Sequence, residues 1–100
     1  MRKRILTGIT TTGTPHIGNY LGAIRPALEL VAPDNDSYFF LADYHALIKQ
    51  IDPGEIEVSV KNVALAWLSS GLDPSQSHFY RQSDIPEVQE LTWILNCSAA

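Results

Sequence analysis

The stretch RILTGITTTGTPHIGNY, residues 4–20, decides how the rest of the chain is read. Its opening, RILTGI, has the apolar, β-branched make-up of a short strand. Its close, from Ile17 onward, starts a helical spacing that continues through Leu21, Ile24, Leu28 and Val31. The threonines, Gly13 and Pro15 between them suit a turn. A strand that runs through a glycine-bearing loop into a helix is the opening of an α/β unit. Ile17 is expected to point to the core, and Pro26 to kink the helix or start a second one, because it lacks a donor and disfavours helical geometry at Arg25.

The same alternation continues outward. APDNDS, residues 32–37, reads as a turn, and YFFLA, residues 38–42, as a strand buried on both faces. DPGE, residues 52–55, is a helix start with Asp52 as cap, Pro53 in the first turn and Glu55 completing a capping box. Ile56, Val60, Val63, Ala64, Trp67 and Leu68 form its apolar stripe, and Gly71 closes it. HFYRQ, residues 78–82, is the third strand candidate. DIPE, residues 84–87, opens a last helix with Val88, Leu91, Ile94 and Leu95 inward. The expected fold class is α/β, a parallel sheet with flanking helices and right-handed crossovers. The last helix has no stop signal before Ala100 and three strands make a thin sheet, so these residues are expected to be part of a longer protein.

Composition narrows the function classes. A chain of 100 residues is at most one small domain, and 45% apolar residues are enough for a core. A net charge of −4 argues against holding nucleic acid through a general field. Arg2, Lys3 and Arg4 read as a solvated flank. The lone Cys97 excludes an internal disulfide and is expected to be a buried, inert thiol. No apolar run reaches signal-peptide or membrane-span length, and the expected compartment is the cytoplasm.

The loop after the first strand is the chemical candidate, because ligands of open α/β sheets bind beyond the carboxyl ends of the strands. A helix N-terminus there presents free N–H groups and a positive dipole end. The dinucleotide fingerprint G-x-G-x-x-G does not occur. Gly8 and Gly13 have P-loop spacing, but Thr14 and Pro15 stand where lysine and a hydroxyl residue belong. What remains is HIGN, residues 16–19. His16 and Asn19 share one face of the first turn, both are able to donate hydrogen bonds to phosphate or ribose, and Gly18 lets a flat base approach. The competing reading is that His16 only caps the helix. A metal site from His16, His45, His78 and Asp43 is not expected, since the histidines lack close ligand spacing.

With HIGNYLGA (16–23), GITTTG (8–13), YFFLADYHAL (38–47), ALAWLSSGLDP (64–74) and YRQSDIPEVQEL (80–91), the chain resembles the class I aminoacyl-tRNA synthetases, in their tryptophan branch. The likeness runs in order along essentially the whole chain. It implies the N-terminal part of the family's Rossmann-like catalytic domain. The family's K-M-S-K-S signature and its anticodon-binding domain are absent from these residues. Many bacterial relatives carry G-I-Q-P-S-G where this chain has GITTTG. Thr10 then replaces a glutamine and Thr11 a proline, while Thr12 keeps a hydroxyl.

The resemblance implies ATP-dependent activation of tryptophan to tryptophanyl-adenylate, then transfer to tRNA(Trp). His16 and Asn19 are the implied catalytic donors, and Thr10, Thr12, Gly18 and Asn19 the ATP contacts. Leu6, Gly8, Asp43 and His45 are the implied amino-acid contacts, with Asp43 and His45 alternatively only a pair that fixes a turn. Mg²⁺ would arrive with ATP and keep several waters. A homodimer is implied for the full-length protein, with Trp93 at the contact or merely half-exposed, and the isolated chain is expected to form little or no adenylate. Three rivals stay open: a tyrosine-activating relative, a non-catalytic nucleotide-binding fragment, and a plain interaction module with a chance HIGN.

Overall fold

In the computed structural model, which describes residues 2–99, three strands are parallel and adjacent in the order β1 (Lys3–Thr10), β2 (Asn35–Ala42), β3 (His78–Arg81). The register sets Thr10 beside Ala42 and Leu41 beside Arg81, so the carboxyl ends of all three strands lie in one row. β2 begins at Asn35, inside the stretch expected to be a turn, because Lys3, Arg4 and Ile5 of β1 offer partners to residues 35–37.

Period-2 alternation sorts the strand residues into two faces. Ile5, Ile9, Phe39, Leu41 and Phe79 meet Ile24, Ala27, Val63 and Trp67 from the helices. Trp67 is fully buried between Phe39 and Phe79, with ring centroids 5.2 Å and 6.0 Å away. Both crossovers lie on this face, since right-handed connections that step in one direction stay on one side of the sheet. The opposite face carries Leu6, Gly8, Tyr38, Phe40, His78 and Tyr80. Tyr38 stacks on His78 and Phe40 on Tyr80, with Tyr38 and Phe40 only half-buried. Burial of β2 on both faces is thus corrected to burial on one, because among the described residues no helix covers the second.

Helix α1 (Ile17–Asn19) runs on through a π-helical turn (Tyr20–Ile24) into α2 (Arg25–Glu29). The π turn lies just before Pro26, the site of the expected irregularity, and the Arg25 N–H reaches back to the Tyr20 carbonyl. One extra residue in a turn shifts the helical phase by about 100°. The expected stripe is corrected: Ile17 and Leu21 are exposed, and Tyr20 and Ile24 pack inward in their place.

A single turn, α3 (Asp43–Ala46), follows β2 directly. Then comes α4 (Pro53–Ser69), whose Asp52 carboxylate accepts the Glu55 N–H at 2.9 Å. Glu55 does not complete the box, because the Asp52 N–H donates to Gln50 Oε1 at 3.0 Å instead. At the other end Gly71 takes φ +107°, a region only glycine enters readily. It lets Leu72 N–H bond the Trp67 carbonyl and Gly71 N–H the Leu68 carbonyl, a Schellman closure with Leu72 buried against the core.

After β3 a 3₁₀ turn (Gln82–Asp84) leads into α5 (Pro86–Ser98). Gln82 therefore belongs to the turn rather than to the strand, and the Asp84 carboxylate binds Arg81 rather than capping α5. The main contact of α5 is with that turn. Val88, Leu91, Ile94 and Leu95 are accordingly exposed, not inward, and so is the Cys97 thiol, because α5 leaves the sheet layer instead of lying on it. Among the described residues no helix is long and apolar enough to cross a membrane.

Candidate functional site at the carboxyl ends of the strands

The loop beyond β1 turns at Gly13, φ +72°, and delivers His16 as the N-cap of α1. His16 is extended, with φ −131° and ψ 176°. Its Nδ1 accepts the Gly18 N–H at 3.0 Å, and Asn19 Oδ1 accepts the His16 N–H at 2.9 Å. This is a reciprocal capping box built from HIGN itself. The capping role and the donor role are therefore compatible. A backbone N–H only donates, so Nδ1 must be the acceptor, and in the neutral ring the proton sits on Nε2. Asn19, with its oxygen committed, keeps Nδ2 as a donor. Among the described residues neither His16 Nε2 nor Asn19 Nδ2 has a partner.

Gly18 has a local reason to be glycine. A Cβ there would meet the His16 ring at 2.9 Å and 3.0 Å, so the imidazole already occupies the space next to its backbone. The expectation for Gly18 is a bare surface for adenine; the contact seen here is with the His16 ring. Thr10 is exposed, Thr12 half-buried, and Thr11 almost fully buried with its hydroxyl unpartnered.

On the open sheet face Leu6 is exposed and Gly8 lies under Phe40: a Cβ on Gly8 would come within 2.4 Å of the Phe40 ring. The chain can bring an aromatic ring onto β1 only where the neighbour has no side chain. Leu6 and Gly8 lie on the same open face of β1, Gly8 directly beside Phe40.

Asp43 and His45 do not pair with each other. Each reaches across to the end of β3. Asp43 Oδ1 accepts the Ser83 N–H at 3.0 Å and the Tyr44 N–H at 3.1 Å, and Oδ2 accepts the Ser83 hydroxyl in a short bond. Gln82 Oε1 lies 3.3 Å from the His45 backbone nitrogen and 3.1 Å from His45 Nδ1. The turn-fixing alternative is corrected in its form: the partners are Ser83 and Gln82. These two residues carried no assigned role in the sequence. Their position immediately after a strand of a parallel sheet was the available signal.

Behind them Arg81 Nη2 donates to Asp84 Oδ1 at 2.7 Å and the Arg81 N–H to Oδ2 at 3.0 Å. The side-chain hydrogen bond from Arg81, then the backbone one, hold the Asp84 carboxyl below its ordinary range. A cleft of about 480 Å³ opens between α3 and α5, with His45, Gln82 and Trp93 on its walls. Another of about 480 Å³ lies at the amino ends of the strands, beside Arg2, Asp36 and His78, away from the end where such sheets bind ligands. Among the described residues no three His, Cys, Asp or Glu side chains come together as a metal site.

Fold and site together define a Rossmann-like α/β layer whose loops gather at one end of a parallel sheet. The family model for tRNA synthetases class I (W and Y) matches residues 1–100, and the chain belongs to that family. It is 63% identical to the tryptophan–tRNA ligase of Pseudomonas putida, over 100% of this chain and 22% of that protein. It is 59% identical to the tryptophan–tRNA ligase of Neisseria meningitidis, over 99% of this chain and 30% of that one. The solved tryptophanyl-tRNA synthetase of Campylobacter jejuni, complexed with ADP and tryptophan, superposes with a TM-score of 0.84 at 41% identity, covering 93% of this chain and 29% of its own. The chain thus spans between 22% and 30% of the length of these relatives.

Proposed function

We infer that the protein carrying this chain activates tryptophan with ATP and transfers it to tRNA(Trp), and that these residues are the N-terminal half of the site. The supporting observation is the HIGN capping box. It commits His16 Nδ1 and Asn19 Oδ1 and leaves His16 Nε2–H and Asn19 Nδ2 as donors at the start of the helix that follows β1. In the reaction a tryptophan carboxylate oxygen bonds to the α-phosphorus of ATP while the bond from that phosphorus to the bridging oxygen breaks and pyrophosphate leaves. Negative charge builds on the phosphate oxygens, and preset donors there stabilise it without reorganising. His16 and Asn19 supply such donors, with Thr10, Thr12 and Gly18 along the nucleotide. Leu6, Gly8, Asp43 and His45 line the amino-acid side.

Names of relatives support the substrates: the Campylobacter jejuni structure holds ADP and tryptophan. Mg²⁺ enters with ATP as part of the substrate, keeping most of its waters. The reading also places the protein in the cytoplasm, as a homodimer joined near α5, where Trp93 is 71% exposed beside other apolar side chains.

Tyrosine activation is the second reading, because the family model embraces both amino acids. Pyrophosphate exchange by the full-length protein separates them. Exchange that requires tryptophan supports the proposal. Exchange with tyrosine instead selects the rival, and exchange with neither removes both.

A further inference from the structure

Two histidines at the same end of this sheet are held by partners of opposite polarity. His16 Nδ1 faces a backbone N–H, so its Nε2 carries the proton. His45 is the reverse case. Gln82 Oε1 receives the His45 backbone N–H, and of the two atoms at the end of the amide only the oxygen can accept, which fixes its orientation. The ring nitrogen 3.1 Å from the same oxygen must then be Nδ1–H. In the neutral ring this leaves Nε2 as a bare acceptor.

The arrangement is built into the fold rather than into one loop. His45 lies in the first turn of α3, where backbone N–H groups have no partners within the helix and Ala42 offers no capping side chain. Gln82 caps that turn from β3's end. Asp43 returns the bond by accepting the Ser83 N–H of the 3₁₀ turn. The two crossed bonds tie residues about 40 apart in sequence, so the His45 ring has both its position and its proton set from the turn that follows β3.

We propose that Gln82 is a positioning residue that holds His45 in the Nδ1–H tautomer, so that Nε2 accepts a hydrogen bond from an N–H donor of the amino-acid substrate. The substrate half of this inference rests on the activity proposed above. Two donors share that chemistry, the α-ammonium and the indole N–H. The pair of histidines then divides the labour: His16 faces anionic oxygens as a donor, and His45 faces a donor as an acceptor.

The test uses long-range ¹⁵N–¹H NMR of the imidazoles in the full-length protein, with His45 assigned from a His45→Asn variant. The Nδ1–H tautomer is expected in the unsubstituted protein and in Gln82→Glu, whose carboxylate still accepts both N–H groups. It is expected to be lost in Gln82→Leu. A His45 ring protonated on Nε2 in the unsubstituted protein, or unchanged in Gln82→Leu, overturns the proposal whatever the reaction proves to be.

Ligand binding supplies the second arm. Gln82→Leu is expected to weaken tryptophan roughly threefold to tenfold, the range of one hydrogen bond, with a smaller change in kcat. Indole-3-propionate, which lacks the ammonium, and benzothienyl-alanine, which lacks the ring N–H, identify the donor: the analogue that escapes the loss lacks it. Equal losses for all three ligands indicate a merely structural Gln82 and overturn the proposal. If the unsubstituted protein shows no tryptophan-dependent exchange, the activity fails, and the substrate half of the inference with it, while the tautomer result stands by itself.

Discussion

Replacing Asp43 by alanine should loosen the ends of β2 and β3 together. The carboxylate accepts the Ser83 N–H, the Ser83 hydroxyl and the Tyr44 N–H. A hydrogen bond to a charged group contributes about 1.5–3 kcal/mol where it is shielded from water. Asp43 is only half-buried, which lowers that figure, and the Tyr44 N–H regains water when the carboxylate is removed. Counting mainly the two Ser83 bonds gives a loss of about 2–3 kcal/mol for Asp43→Ala and about 1 kcal/mol for Ser83→Ala. Because the two substitutions delete the same contact, the double variant should lose about 1 kcal/mol less than the sum. Urea unfolding of the four proteins measures this directly. Asp43→Asn, which keeps an acceptor oxygen, should recover part of the loss, and amide exchange at Ser83 should accelerate in Asp43→Ala but little in Asp43→Asn. Losses that add to within about 0.5 kcal/mol would refute the clamp.

Other substitutions probe the remaining contacts. Gly8→Ala forces a Cβ to within 2.4 Å of Phe40 and should destabilise the fold by about 1–3 kcal/mol; an unchanged melting temperature contradicts the close approach. Gly18→Ala should favour the helix, since glycine costs about 1 kcal/mol there, yet push the imidazole off its N–H and lower pyrophosphate exchange about tenfold or more. Undiminished exchange in Gly18→Ala would count against the capping geometry. For pH, the Asp84 carboxyl is depressed from its usual 3.8 by Arg81. The group's stabilising contribution is therefore full above that ordinary value and lost as pH falls through the depressed one. An NMR titration should show Asp84 moving up toward its ordinary value in Arg81→Gln, and no movement denies the pairing.

Much of the fold was legible because local signals agreed. Strand-length apolar runs alternated with helical spacing, and Asp52 and Gly71 marked the two ends of α4 by their own chemistry. What was misread depended on long-range facts. Nothing in YFFLA says that both helices fall on one side of the sheet; that follows from strand order and handedness. Ile17 and Leu21 turn outward because the inward face of this helix starts at Tyr20 and Ile24, a choice between two adjacent stripes that spacing alone does not make. Val88, Leu91 and Cys97 have an amphipathic pattern, but the direction α5 takes after the 3₁₀ turn decides their exposure.

The candidate site shows the same division. HIGN carried its geometry within four residues, so the capping box was within reach of a sequence reading. The partners of Asp43 and His45 lie 40 and 37 residues away, across a crossover, where no local pattern announces them.

The most direct test of the account is ATP–pyrophosphate exchange with saturating tryptophan, in the full-length protein and its His16→Ala variant. The preset donor predicts a loss of about 10²–10³ in kcat with tryptophan binding nearly unchanged. Equal rates in the two proteins would contradict it, leaving His16 as a helix cap and nothing more.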